Sequence, residues 1–412
     1  MTDKESAAIF ANNEIRASNM REQVMKSVMR CLAAAAGVAA CAFAPPALAQ
    51  EFYEATAAEL RGRAGTIIRA EPFAGAPAGA SAYKVLYRST GLKGEPIAVS
   101  GLIVVPEGPV PPGGRPVIAW AHGTTGVARK CAPSLFPQSL TWIPGLAGML
   151  ARGYVVAATD YPGLGTAGAH PYLVGDSGGR AVLDSVRAAR QLPGANAGDH
   201  FAVWGHSQGG HASLFAGQIA RRYAPELRLA GIAAAAPATE LGELFRADIR
   251  GIIGKVLGAF ALWSWSNLYN IPLDGVVLER SMLVFERVAS FCNDTPQQAF
   301  KLLLAEQPLE REGFLAVDVT KTEPWRKIML ENTPGQAPAG APVFLAQGTL
   351  DPVVRPDVTA AFMRMLCGKG TPVRFVPVPG GDHDASAEFG AAPAVAWIAD
   401  RFAGAPVPDD CG

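Results

Sequence analysis

Beyond residue 115 the sequence alternates short, continuous apolar runs with segments of helical periodicity, and this alternation restricts the fold more than any other feature. The apolar runs are Val117–Trp120, Tyr154–Ala158, Phe201–Trp204, Gly231–Ala236, Pro342–Ala346 and Val373–Val378. Helical segments near Leu140–Ala151, Ala181–Leu192 and Gln208–Tyr223 separate the first four, and each of the last two is followed by another. A strand buried on both faces has no polar side to alternate with. The pattern therefore predicts an α/β protein, a mostly parallel sheet covered by helices on both faces. Ahead of it, Ala82–Arg88 and Ile97–Val105 flank Gly91-Leu92-Lys93-Gly94 and read as an antiparallel hairpin.

The alternation lapses between Ala238 and Gln336, where helical spacing takes over: Leu241, Leu244 and Phe245, then Ile252–Trp265, Leu283–Phe291 and Phe300–Leu304. Roughly 95 residues is too long for one strand-to-helix connection, whose loops run to a handful. A helical cap over residues 238–336 is expected, dividing the core into 50–237 and 337–412. Its large apolar side chains, Phe260, Leu262, Trp263, Trp265 and Leu268, are expected mainly to form its own core, with a few left to line a greasy pocket.

With 412 residues, 49% of them apolar, the chain can bury a sizeable core. Its 36 basic residues are balanced by 36 acidic ones, which argues against nucleic acid or an anionic membrane surface as partner, because no basic excess exists to release counterions.

Residues 1–49 read as a signal peptide. Arg21, Lys26 and Arg30 precede an apolar stretch, Cys31–Phe43, too short to span a bilayer, and Ala47-Leu48-Ala49 supplies the small residues a signal peptidase needs. Val38-Ala39-Ala40-Cys41 offers the alternative of a lipidated Cys41. The mature chain is expected to be secreted or periplasmic, without an integral membrane span. Export leaves Cys131, Cys292, Cys367 and Cys411, an even number in an oxidising compartment. Of three pairings, Cys367–Cys411 with Cys131–Cys292 is favoured, since the first pins the C-terminal tail, with a loop worth about 4 kcal/mol on the chain-entropy model. A zinc site made of all four lacks any close-spaced Cys-x-x-Cys pair.

Phe201-Ala202-Val203-Trp204-Gly205-His206-Ser207-Gln208-Gly209-Gly210-His211 is a strand, then Gly-x-Ser-x-Gly, then a helix. A serine on so sharp a bend exposes its hydroxyl above the sheet, and Gly205 and Gly209 let the chain pass closely. Gly175-Asp176-Ser177-Gly178-Gly179 matches the same five-residue pattern, and the order His122, Asp160, Ser177 would suit a chymotrypsin-type protease. No strand precedes Ser177, however, so these are read as turn residues leading into the helix at Ala181. A serine hydroxyl needs a base, and the base needs an anion to fix its tautomer. On this topology they follow on later strands: Asp351 after Pro342–Ala346 and His383 after Val373–Val378. Asp382 and Asp384 flank His383, but adjacent side chains rarely reach each other's ring nitrogen. His206 and His211 are read as packing residues. The oxyanion donors are expected to be the Gln208 amide and an amide of the loop Ala121-His122-Gly123-Thr124-Thr125-Gly126: Thr124, with Thr125 as its competitor. His122 is read as bracing that loop, and Asp160 as a residue of the pocket wall without an assigned role. No metal or organic cofactor is expected.

Trp120-Ala121-His122-Gly123-Thr124-Thr125-Gly126 with Cys131-Ala132-Pro133-Ser134, then Asp160-Tyr161-Pro162-Gly163-Leu164-Gly165, then Gly205-His206-Ser207-Gln208-Gly209-Gly210, resemble the secretory lipase family of α/β-hydrolases. The resemblance runs from about Phe52 to the C-terminus. It implies a Ser207–Asp351–His383 triad, a helical cap forming an acyl-binding tunnel, two disulfides and hydrolysis of carboxylic esters. The substrate it implies is a small-molecule or lipid ester, triacylglycerol among them. Peptidase or acyltransferase chemistry on the same fold is the alternative, because a triad does not choose its leaving group. Gly178 departs from the acidic residue expected in many relatives, which leaves the triad untouched but weakens any transfer of substrate preference.

Overall fold

The structure is a computed structural model that describes residues 51–248, 252–293 and 313–412. The expected signal peptide, Cys41 and the helical stretch Phe300–Leu304 lie outside the described residues. Nine strands form one sheet in the order β1-β2-β3-β5-β4-β6-β7-β8-β9. They are β1 (Ile67–Pro72), β2 (Ala80–Thr90), β3 (Pro96–Pro106), β4 (Arg115–Ala121), β5 (Val155–Thr159), β6 (Ala197–His206), β7 (Arg228–Ala235), β8 (Val343–Gly348) and β9 (Val373–Val378). The β2–β3 hairpin is antiparallel, with Thr90 opposite Pro96 across the predicted turn. From β5 through β4 to β9 every neighbouring pair is parallel. The predicted α/β class is the observed one.

The continuous apolar strands divide their side chains between two cores. Val117, Ala119, Phe201 and Val203 face one way, onto α3 (Gly175–Gln191) and α4 (Gln208–Tyr223). Ile118, Trp120, Ala202 and Trp204 face the other, onto α2 (Leu146–Ala151) and α11 (Ala391–Phe402). Period-two alternation with both faces apolar is why no polar residue interrupts these runs.

Two predictions of local structure need correction, and one strand went unpredicted. The helix expected over Leu140–Ala151 is split into a 3-10 turn, Ser139–Trp142, and α2. Pro144 disfavours helical backbone at the residue before it, and Ile143 is extended at φ −96°, ψ 98°. The helix expected from Ala181 begins earlier, at Gly175, so Ser177 is a buried residue of its first turn and not part of a loop. The glycines that suggested a turn serve helix packing: a Cβ on Gly175 would stand 2.2 Å from the Phe215 ring of α4. The edge strand β1, with half-exposed residues and no clean alternation, was not anticipated.

Between β7 and β8 the described residues form α5 (Leu241–Asp248), α6 (Ile252–Tyr269), α7 (Met282–Ala289) and α8 (Trp325–Glu331). Phe260, Leu262 and Trp265 are fully buried there, among Phe285, Phe314 and Trp325. After β8 come α9 (Pro356–Gly368), α10 (His383–Glu388) and α11; a single turn, α1 (Ala57–Leu60), precedes the sheet. Disulfides join Cys131 to Cys292 and Cys367 to Cys411, the pairing favoured from the sequence. The four-cysteine zinc alternative is thereby excluded, since no thiolate is left to bind metal.

Candidate active site

The last residue of β6, His206, and the first of α4, Gln208, bracket Ser207, whose backbone sits at φ 56°, ψ −116°. A non-glycine residue in that region carries strain of about 1–3 kcal/mol. The turn is held from three sides: Ser207 donates its amide to Ala235 O at 2.9 Å, and its carbonyl accepts from His211 and Ala238. The bend is tight enough that a Cβ at Gly205 would lie 2.2 Å from Gly209 O, and one at Gly209 would lie 1.8 Å from Ala121 O. The start of α4 therefore rests directly on the end of β4. A Cβ built on Gly123 would come 3.8 Å from Cβ of Ser207, so the loop after β4 runs alongside the serine.

Asp351 and His383 meet across the ends of β8 and β9. His383 Nδ1 lies 2.8 Å from Asp351 Oδ2. Asp351 Oδ1 accepts the amides of Val353 at 2.8 Å and Val354 at 2.9 Å, and Oδ2 also accepts from Gln347 Nε2 at 3.1 Å. Burial alone would raise this carboxyl's pKa, but the His383 hydrogen bond and charge, with the two amides, outweigh it and hold the group below the ordinary carboxylate value. An anion so fixed favours the ring tautomer that carries its hydrogen on Nδ1. The imidazole is docked to the bend itself: His206 Nε2 donates to His383 O at 3.0 Å, and the two rings lie 4.6 Å apart. Asp382 caps α10 by accepting from Ala385 N, and both it and Asp384 are exposed.

Thr124 Oγ1 is 2.8 Å from the Tyr172 hydroxyl, and Tyr172 lines an apolar cleft with Ser207 and Gln208. Leu241, Leu244, Phe245, Leu257 and Val354 form much of the remaining wall. The five large apolar residues expected mainly to form the core of the insertion do so, and the few among them that were expected to line a pocket are not among the lining residues of this one. The Thr125 carbonyl accepts the Asn293 amide at 2.8 Å, next to the Cys131–Cys292 bridge.

His122 and His211 have bracing roles. His122 is buried against the carbonyls of Gly123 and Asp160, and burial pushes it down to about 4. His211 is tied to Asn332 O at 2.7 Å and packs on Phe215. Sequence reasoning missed Gln347, which orients Asp351, and Tyr172 and His170, which join the site from one loop. Only their nearness to strand ends and to the Asp160–Gly165 motif hinted at them. Among the described residues no group of three or more His, Cys, Asp or Glu side chains could hold a metal ion.

Asp160 lies behind the site and not on the cleft wall. It accepts Ser100 Oγ at 2.6 Å, the Ser134 amide at 3.0 Å and the Ser134 hydroxyl. Burial pushes its carboxyl up to about 6 from 3.8, against the pull of those donors. The folded state thus holds the proton more tightly than the unfolded one, so this contribution is complete below pH 4 and is lost as pH rises through 6. Asp160→Asn removes that dependence, and its stability relative to wild type should improve by about 2–3 kcal/mol between pH 4 and 7. Urea denaturation at several pH values measures this; parallel profiles for the two proteins would contradict it.

A sheet of this order with a serine at a strand-to-helix bend, an acid after a later strand and a histidine after the last one defines an α/β-hydrolase. The chain belongs to the secretory lipase family, whose model matches residues 142–410. That makes it a carboxylic ester hydrolase by class. Among curated relatives, Lipase A of Moesziomyces aphidis is 24% identical, covering 81% of this chain and 74% of its own length. A Mycobacterium tuberculosis protein named "Probable inactive lipase MT1628" is 25% identical, covering 81% of this chain and 76% of its own. Candida antarctica lipase A has the same fold, with a TM-score of 0.76 at 19% identity over 89% of each chain. The rice cell wall degrading esterase LipA of Xanthomonas oryzae gives 0.70 at 19% identity, over 83% of this chain and 99% of its own.

Proposed function

We propose that this chain is an exported serine hydrolase that cleaves carboxylic esters through an acyl-enzyme. The observation that carries the reading is the buried, four-times hydrogen-bonded Asp351 aligned on His383, whose ring is docked to the bend bearing Ser207. His383 Nε2 takes the Ser207 proton as Oγ bonds to the ester carbonyl carbon. The resulting oxyanion is held by the amides of Thr124 and Gln208. The link from Thr124 to Tyr172 on the cleft wall supports Thr124 over Thr125 as donor. The tetrahedral adduct collapses, the C–O bond to the alcohol breaks, and His383 returns the proton to the leaving oxygen. Water then gives a proton to Nε2 and attacks the acyl carbon, releasing the acid and Ser207.

The helices of residues 238–336 are read as a cap over this site, and the apolar cleft beneath them suits an acyl chain better than a charged peptide. Export rests on the signal-like segment ending at Ala49 and on the two disulfides. No helix among the described residues is long and apolar enough to cross a membrane. The test is a rate series on p-nitrophenyl esters from acetate to palmitate beside a panel of peptide amides. Ester turnover exceeding amide turnover by about a thousandfold or more is expected, since the amine is the poorer leaving group and the cleft is apolar. Absence of ester turnover would favour the idle state named for the Mycobacterium relative; preference for amides would favour a peptidase.

A further inference from the structure

Gln208 brings more to the site than its main-chain amide. Its carboxamide is buried, with Nε2 2.9 Å from Nε2 of His170, and two observations decide which nitrogen donates. His170 Nδ1 lies 2.9 Å from the Pro162 carbonyl, an acceptor that requires the ring hydrogen on Nδ1. Burial pushes the ring down to about 3, so it is neutral at working pH and has one hydrogen only. Nε2 of His170 therefore offers a lone pair, and Gln208 Nε2 donates to it. The other end of the carboxamide, Oε1, is buried without a hydrogen-bond partner among the described residues. The imidazole is what orients this side chain.

His170 is itself held firmly. It is 1% exposed, its ring stacks on Tyr161 at 5.9 Å, and its carbonyl accepts Ser264 Oγ at 2.5 Å. Ser264 belongs to α6, which also accepts the Tyr172 amide at Ser264 Oγ and donates Trp265 Nε1 to Tyr172 O. The segment 170–172 is thus clamped between the helical insertion and the first turn of α4.

We propose that His170 is a positioning residue for ester hydrolysis, holding Gln208 through the Nε2 lone pair so that the Gln208 amide stays aimed at the oxyanion. The proposal rests on the reading of Ser207 and of that amide given above. A donor displaced at the start of α4 weakens mainly the bond that strengthens as negative charge develops on the carbonyl oxygen, so the loss falls on kcat more than on KM.

Two substitutions separate the ring's two bonds. In His170→Asn the side-chain amide can replace the Nδ1 donor to Pro162, while the acceptor for Gln208 is gone. In His170→Gln the carbonyl oxygen replaces that acceptor. His170→Asn is expected to lower kcat about 30-fold, within the range known for slight misplacement of a reacting group, with KM changed less than about twofold. His170→Gln should recover most of the rate. Gln208→Leu keeps the main-chain amide, removes the carboxamide and should lose a similar factor. The double variant His170→Asn/Gln208→Leu should be no slower than the slower single one. Wild-type kcat in His170→Asn, equal losses in Asn and Gln, or additive losses in the double variant would each overturn the proposal. Thermal melts identify any variant that does not fold, in which case Gln208→Leu tests the same bond from its other side. Fluorophosphonate labelling keeps the two readings apart: label surviving in Ser207→Ala removes the foundation, whereas label lost there with a wild-type His170→Asn removes only the positioning role.

Discussion

Ser207→Ala is expected to lower kcat/KM on p-nitrophenyl butyrate by about four to six orders of magnitude, leaving only what binding and the oxyanion donors supply without a nucleophile. The variant should fold, because alanine keeps the Cβ already accommodated at φ 56° and removes only a hydroxyl. A fluorophosphonate probe should label wild type and not the variant. The competing serine makes the experiment informative. Ser177 is 4% exposed in the first turn of α3 and is not among the residues lining the cleft that contains Ser207. If the variant still reacts with the probe, the nucleophile lies at Ser177 or elsewhere, and the proposed mechanism fails at its first step.

Asp351→Asn is expected to lower kcat by about 10⁴-fold with little change in fold. The reason lies in how its two oxygens are used. Oδ1 accepts the amides of Val353 and Val354, so an asparagine keeps its carbonyl oxygen there. That turns the Nδ2 group toward His383, where it can only donate. The ring must then present a lone pair at Nδ1 and carry its hydrogen on Nε2, which makes it useless as a base toward Ser207. Asp382→Asn and Asp384→Asn are controls, expected to stay within about threefold of wild type because exposed charges contribute little. A large loss in either control with Asp351→Asn unaffected would move the acid to the flanking position.

The frame of this molecule was legible because burial on both faces writes itself into composition: Val117–Trp120 and Phe201–Trp204 contain no polar residue, and each fills two cores at once. The bend at Ser207 was legible because Gly205 and Gly209 answer contacts that no side chain can share. Order along the sheet then led to Asp351 and His383. What stayed hidden depends on contacts made at long range. Gly175–Gly179 reads as a turn until Phe215 of the neighbouring helix is seen against it. Nothing near Gln208 in sequence points to His170, since that pairing is made where a loop meets the first turn of α4. The lining of the cleft stayed open for the same cause: hydropathy marked Phe260 and Trp265 as large and apolar and they do form the core of the insertion, but only packing shows that Leu241 and Leu244 line the cleft with the serine.

The bridge between Cys131 and Cys292 spans 161 positions, while that between Cys367 and Cys411 spans 44. On the proposed export route, Cys131 emerges 161 positions ahead of Cys292 and has no native partner until that residue has followed it. Only then can the segment bearing Thr125 be tied to Asn293. Production in a reducing cytosol would yield chains lacking this late fastening beside the loop proposed to supply an oxyanion donor, and the oxidising power of the host compartment thereby becomes a determinant of how much working enzyme is recovered.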